Sequence, residues 1–369
     1  MNPLNPSAPP RSPASPLVAA SRLAEAPWGD TVIDVRSPGE YAEDRVPGAI
    51  NCPVLDDDER ARVGTLYKQV GPFEARRIGG ALAARNIARH VEGRFQDHPR
   101  QWAPLVYCWR GGQRSRAFVH VLREIGWRAV QLEGGYRAFR RLVIDALGEL
   151  PGRLSFRVLS GRTGCGKSRL LGVLASEGHQ VLDLEALAAH RGSVLGNLPD
   201  VPQPAQKAFE SALWDRLRGF DPSRPVFVEA ESRRIGVLHL PDALIARMRA
   251  APVLTIEADL SVRTALLLDE YRHLVIDTPR LHAQLDCLRH LHGHDTLAAW
   301  RALAEAGRWD EFVAALLEQH YDPAYDRSMF RNYGAEGDRG PRVRLQAGDE
   351  AQLRAAARQL AGLGDKVAA

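Results

Sequence analysis

Phe156-Arg157-Val158-Leu159-Ser160-Gly161-Arg162-Thr163-Gly164-Cys165-Gly166-Lys167-Ser168 is the stretch whose reading decides the fold. Phe156–Leu159, apolar except for Arg157, reads as a strand, and Lys167–Ser176 continues with helical spacing. Between them, Gly161 to Ser168 fits G-x-x-x-x-G-K-[ST], a phosphate-cradling loop whose required context is a strand before and a helix after. Gly161, Gly164 and Gly166 let backbone N–H groups converge on an anion. Lys167 neutralises terminal oxygens, and Ser168 offers a hydroxyl to Mg²⁺. The motif calls for a phosphate or diphosphate without specifying ATP. Cys165, inside the loop, reads as a space-filler.

Working outward, Val181–Leu184, Pro225–Val228 and Val253–Glu257 read as strands, and Pro241–Ala250 as a helix. The strand Arg342–Leu345 and the helix Glu350–Leu363 close the chain. This alternation argues for α/β architecture. Glu229 and Glu231 follow one strand and Asp183 ends another. Either acidic site can hold Mg²⁺ or order an attacking group, yet strand-end carboxylates are equally common in open sheets without such a role. Leu150-Pro151-Gly152 is a breaker cluster. Two domains are therefore expected, over 17–149 and 150–369, the second with C-terminal helical segments. Residues 1–16, rich in Pro, Ser and Ala, read as a disordered tail.

Before that boundary, Thr31–Val35, Pro104–Tyr107 and Ala129–Leu132 read as strands, and Ser115–Ile125 and Arg137–Leu147 as helices. Tyr107-Cys108-Trp109-Arg110-Gly111-Gly112-Gln113-Arg114-Ser115 joins a strand to a helix. Such a turn aims successive N–H groups inward, and the helix adds its positive end. With Arg110 and Arg114 nearby, Cys108 is expected to be a reactive thiolate. A buried structural cysteine beside a glycine turn is the competing reading. Upstream, Ser37 and Glu40 form a capping box with Pro38 at the first helical position, so that segment is assigned to architecture.

Composition narrows the classes. Of 369 residues, 45% are apolar, enough for sizeable cores, and no apolar run approaches the ~20 residues a bilayer requires. The N-terminus lacks the pattern of a secretory signal. Four scattered cysteines, Cys52, Cys108, Cys165 and Cys287, suggest a reducing cytoplasm rather than a disulfide framework. Cys287 with His290, His292 and His294 lacks a second ligand pair, so no metal site is expected there and the histidines are taken as solvent-facing. Net charge is +4, and only Lys68, Lys167, Lys207 and Lys366 among the 49 basic residues are lysine. Arginine suits phosphate recognition, although genomic base composition explains the bias equally well. Arg76, Arg77, Arg85, Arg89 and Arg94 form one basic run, and Arg327, Arg331, Arg339, Arg342 and Arg344 another. Both are candidate RNA surfaces, or simply solvated arginine faces.

The Cys108 loop, together with Ile33-Asp34-Val35-Arg36-Ser37-Pro38-Gly39-Glu40-Tyr41 and Val46-Pro47-Gly48-Ala49-Ile50-Asn51, resembles the rhodanese family. Its C-x5-R spacing is one residue longer than in common thiosulfate sulfurtransferases and resembles rhodanese-fold phosphatases. The domain order narrows the resemblance, as do Val63–Val70, Ala84–Arg89, His190–Ser193, Gln203–Lys207 and His320-Tyr-Asp-Pro-Ala-Tyr325. Over about residues 30 to 330 the chain resembles the bacterial tRNA 2-selenouridine synthase family. The resemblance implies an α/β chain with an N-terminal rhodanese-like domain followed by a P-loop NTPase-like parallel-sheet domain. It implies a cytoplasmic transferase that replaces sulfur by selenium at C2 of wobble 2-thiouridine, through S-geranylation and then selenation. The substrates so implied are geranyl diphosphate, selenophosphate and tRNA carrying 2-thiouridine in its anticodon. Selenophosphate synthetase is the implied donor enzyme, with no tightly bound cofactor, Mg²⁺ possible at Ser168, and no membrane partner. We expect Cys108 to carry the selenation, the Lys167 loop to take the diphosphate, and Trp109 to stack on the extruded base. A thiosulfate sulfurtransferase fused to a nucleotide-binding domain is the principal alternative. A kinase-like enzyme with a regulatory rhodanese domain, a phosphatase and a non-catalytic tRNA-binding protein each explain fewer of the motifs.

Overall fold

The computed structural model describes residues 17–24, 30–193, 195–199, 201–334 and 340–366. The stretch 1–16, expected as a tail, and Arg339 lie outside the described residues. The chain divides into two compact units after Asp145, inside the helix Gly135–Glu149 and ahead of the 3-10 turn Leu150–Arg153.

The first unit holds β1 (Leu17–Val18), β2 (Val32–Asp34), β3 (Ile50–Asn51), β4 (Leu105–Tyr107) and β5 (Val130–Leu132), in the order β1-β5-β4-β2-β3 with every pairing parallel. β4 is buried along its length, as expected of a central parallel strand, and packs with Ile33, Phe118, Val119 and Leu122 in the core. The helix Asp57–Gln69 begins at a capping box: Glu59 N–H donates to Asp56 (2.7 Å) and Asp56 N–H to Glu59 (3.1 Å). Val63–Val70, one of the stretches that carry the family resemblance, thus lies mostly in a helix of this unit, followed by the helix Pro72–His90.

The second unit holds β6 (Phe156–Ser160), β7 (Gln180–Leu182), β8 (Val226–Glu229), β9 (Arg234–Ile235), β10 (Leu238–His239), β11 (Val253–Ala258) and β12 (Arg342–Leu345). Five of these form a parallel sheet ordered β12-β11-β6-β8-β7, while β9 and β10 make a separate antiparallel ribbon. Leu170 and Leu174 of the helix Lys167–Ser176, Val343 and Leu345 of β12, and Leu360 of the helix Glu350–Lys366 share one core. A second core, with Leu274, Leu281, Trp300, Phe312 and Leu316, lies within the helices between Arg272 and Leu316.

One strand end differs from expectation. β7 stops at Leu182, and Asp183 caps the helix Leu184–Ala188, its carboxylate accepting from Ala186 N–H at 2.8 Å. A short acid followed by Leu-Glu-Ala-Leu-Ala satisfies an orphan helix donor better than it extends a strand.

Candidate functional site

In the first unit β4 delivers Cys108 into the turn before the helix Gln113–Ile125. Its sulfur accepts from Gly112 N–H (3.2 Å) and from the Ser115 hydroxyl (3.1 Å). Ser115 is itself held by Gln131 of β5, whose Nε2 donates to Ser115 Oγ (2.9 Å) and to the Gly111 carbonyl (2.5 Å). Beneath the loop, Tyr136 N–H donates to the Cys108 carbonyl (2.8 Å) and Arg137 N–H to that of Trp109 (3.0 Å). This backbone-to-backbone approach requires Gly135: its φ is +58°, and a Cβ there would collide with the Cys108 carbonyl oxygen and the Gly111 nitrogen.

The two expected guanidiniums are placed otherwise. Arg114 donates to Glu40 (2.9 Å), and Arg110 is exposed, so the sulfur's donors are an amide and a hydroxyl. Burial opposes ionisation of Glu40, but the Arg114 hydrogen bond and charge hold its carboxyl below the ordinary value. The Glu40 carboxylate thus holds the guanidinium by a charge-assisted hydrogen bond. Trp109 is half-buried, 5.1 Å from the Tyr136 ring. The upstream motif is architectural: buried Arg36 pairs with Asp34 (2.6 Å) and lies 3.9 Å over Tyr136, whose hydroxyl donates to Asp44 (2.8 Å).

In the second unit Gly161, Gly164 and Gly166 all take positive φ, which curls the loop around Lys167. Lys167 Nζ donates to the Gly161 carbonyl at 2.6 Å. Burial lowers its pKa, but Cys165, Tyr325, Glu185 and Glu231 outweigh that and keep it above its ordinary value. Cys165 is buried in the core, as a space-filler would be. Two residues from the His320–Tyr325 motif brace the loop. Tyr325 accepts from Gly161 N–H (2.6 Å), while Asp322 pairs with buried Arg263 (2.5 Å), whose Nε donates to the Thr163 carbonyl (2.8 Å).

Ser168 Oγ donates to Glu185 (3.0 Å), a carboxylate missed by sequence reasoning. The signal in the sequence is Asp183-Leu184-Glu185, where a helix start after Asp183 carries Glu185 toward Ser168. Glu229 accepts from Glu185 N–H (2.8 Å), and its other oxygen has no hydrogen-bond partner among the described residues. Burial and the neighbouring acids Asp183, Glu231 and Glu185 push Glu229 well up. Burial, then Glu185, pushes Glu231 up to about 8. Clustered carboxyls beside a serine hydroxyl suit a hard cation with oxygen ligands. Among the described residues no three such side chains form a complete metal cage.

A cleft of about 190 Å³ surrounds Lys167, Ser168, Glu185 and Glu231. Beside it lies an apolar cavity of about 60 Å³ whose lining includes Leu274, Phe312, Leu316 and Tyr321. Thr163, Ser193, Leu267 and Tyr271 border both.

Arg76, Arg77, Arg85 and Arg89 are all exposed on the helix Pro72–His90. Arg77 pairs with Glu74 and Arg85 with Glu59. Arg327 and Arg331 are exposed on the helix Asp322–Tyr333. His290, His294 and Cys287 are exposed, but His292 is half-buried and hydrogen-bonded to His320 (2.9 Å), so it is not the solvent-facing residue expected. Its ring is recruited by the core aromatic Trp300 at 4.9 Å.

Fold and sites together define the class: a rhodanese-like domain bearing a thiol loop, followed by a P-loop domain. The rhodanese-like domain model matches residues 17–142, and the model of the tRNA 2-selenouridine synthase AAA domain matches residues 154–290. A tRNA 2-selenouridine synthase of Alcanivorax borkumensis is 33% identical over 348 residues, 86% of this chain and 94% of its own. One of Marinobacter nauticus is 34% identical, covering 82% and 89%. One of Nitrosomonas europaea is 36% identical, covering 69% and 66%. The chain belongs to the tRNA 2-selenouridine synthase family.

Proposed function

We propose that this chain is a tRNA 2-selenouridine synthase that activates the thiouridine on its P-loop unit and selenates it on its rhodanese-like unit. The observation that carries the division is the apolar cavity bordering the phosphate cleft, with Thr163, Ser193, Leu267 and Tyr271 common to both. A nucleoside triphosphate has no long apolar tail to bury, whereas a prenyl diphosphate presents an anion and an aliphatic chain end to end. Thiolate is a poor leaving group from C2. In the first step the thiouridine sulfur attacks C1 of geranyl diphosphate, an S–C bond forms, the C–O bond breaks and diphosphate leaves. The selenium of selenophosphate then adds at C2, geranyl thiol departs, and water cleaves the P–Se bond to release phosphate. Lys167 and the loop amides bind the diphosphate, and Ser168, Glu185 and Glu231 would hold a Mg²⁺ that neutralises it. A cavity of ~150 Å³ accepts a six-carbon ring, so a ten-carbon chain must part the lining helices from their present 60 Å³.

In this reading Cys108 acts in the second step as nucleophile: its thiolate displaces geranyl thiol from C2 and is itself displaced by the selenium of selenophosphate. Selenophosphate synthetase is the donor enzyme, and the reaction belongs in the cytoplasm. Among the described residues no helix is long and apolar enough to cross a membrane. The test supplies 2-thiouridine tRNA, geranyl diphosphate and selenophosphate, and weighs the digested nucleosides. Lys167→Ala abolishes the geranylated product, whereas Cys108→Ser accumulates it without selenouridine. Intact geranylation by Lys167→Ala, or full selenation by Cys108→Ser, would overturn the corresponding assignment.

A further inference from the structure

A cleft of about 770 Å³ in the second unit shares no lining residue with the apolar cavity. The end of β11, from Thr255 through Ala258 to Asp259 just beyond it, lines the cleft together with Arg342 and Arg344 of the neighbouring β12. Met329 and Phe330 of the helix Asp322–Tyr333 also line it, and the Phe330 ring is 73% exposed, open to a stacking partner. Ser160, Gly161 and Tyr325 line it at the phosphate loop, and Tyr325 also borders the Lys167 cleft.

The charges here are paired. Arg342 contacts Glu257 at 2.5 Å, Arg344 contacts Asp259 at 2.6 Å, and Arg162 contacts Asp326 at 2.8 Å. A groove for RNA backbone would present unpaired cations. Paired guanidinium and carboxylate instead set an N–H donor beside an acceptor, the complement of the N3–H and O4 edge of a uracil ring. An exposed aromatic ring supplies the stacking surface that an extruded base needs.

We infer that this cleft receives the substrate uridine itself, its base stacked on Phe330 and its edge read by the Arg342–Glu257 or Arg344–Asp259 pair. Resting on the function proposed above, this places the thiocarbonyl beside the phosphate loop and assigns the stacking to Phe330 rather than to Trp109.

The test uses the full chain and a fluorescein-labelled anticodon stem–loop with 2-thiouridine at the wobble position. By anisotropy, Phe330→Ala weakens binding about 5- to 100-fold, and Phe330→Trp restores it. Because the ring is exposed, neither change endangers folding. Glu257→Gln combined with Asp259→Asn reduces the preference for 2-thiouridine over 2-thiocytidine by about tenfold. Geranyl diphosphate affinity stays unchanged in all of them. A Phe330→Ala affinity within about twofold of wild type overturns the inference. Alkylation is scored separately: wild-type protein that binds the stem–loop but never alkylates it overturns the proposed reaction, while the variants still decide the cleft.

Discussion

The Cys108 sulfur is held by two neutral donors rather than by the arginines around it. Gly112 N–H and the Ser115 hydroxyl converge on the sulfur, and Gln131 keeps the hydroxyl in place. Ser115→Ala removes one of two stabilising contacts and is expected to slow selenation about tenfold. Geranylation should be unaffected and Ser115→Thr should retain most of the rate, both read by nucleoside mass spectrometry; unaltered selenation in Ser115→Ala would exclude this positioning role. Glu231 makes a pH-dependent contribution of its own. Its folded-state pKa, about 8, exceeds the ordinary 4.5. Stability from the protonated form is therefore complete below about 4.5 and lost as pH rises through about 8. Calorimetry should show the P-loop unit melting lower at pH 8.5 than at pH 6. Glu231→Gln should flatten that slope, and Mg²⁺ should raise the wild-type melting temperature more at pH 8.5.

At the scale of elements, each loop is pinned by a neighbour that sequence spacing does not single out. The start of the helix Gly135–Glu149 supports the Cys108 loop through glycine backbone, so Gly135→Ala brings both a positive-φ penalty and a collision. We expect a cost of at least about 2 kcal/mol and a melting temperature for the rhodanese-like unit lower by roughly 5 °C or more. A calorimetric trace matching wild type would mean the loop can withdraw freely. Sequence legibility follows the same physics. β4, β6 and β8 are buried throughout and read as apolar runs. The helices Asp57–Gln69 and Pro72–His90 are not legible in the sequence because the first has no buried residue and the second only three, leaving no clear apolar stripe. β3 and the ribbon β9–β10 have two residues per strand, too few to show a period.

Over the whole molecule, the +4 charge is spread unevenly in its availability to RNA. Arg77, Arg85, Arg342 and Arg344 have carboxylate partners, whereas Arg76, Arg327 and Arg331 present exposed side chains. A few phosphate contacts should make tRNA affinity fall roughly tenfold or more between 50 and 200 mM salt. Arg327→Ala with Arg331→Ala should reduce the slope of that dependence, measured by filter binding. A salt-independent affinity would count against both basic runs.

The sequence by itself determined the two loops and their flanking elements, because contiguous residues encode them. Glycines permit the positive φ of the Lys167 loop, a strand and a helix flank each turn, and Ser37 with Glu40 closes a helix start. Only the tertiary structure decided how the side chains are shared. It gave Arg114 to Glu40, 74 residues away, made Glu185 rather than Asp183 the partner of Ser168, and set Gln131 behind Ser115. It also placed an apolar cavity against the phosphate loop, from residues spread between Thr163 and Tyr321. Such competitions are settled by distance and burial in the packed chain, and no local pattern of residue types carries either.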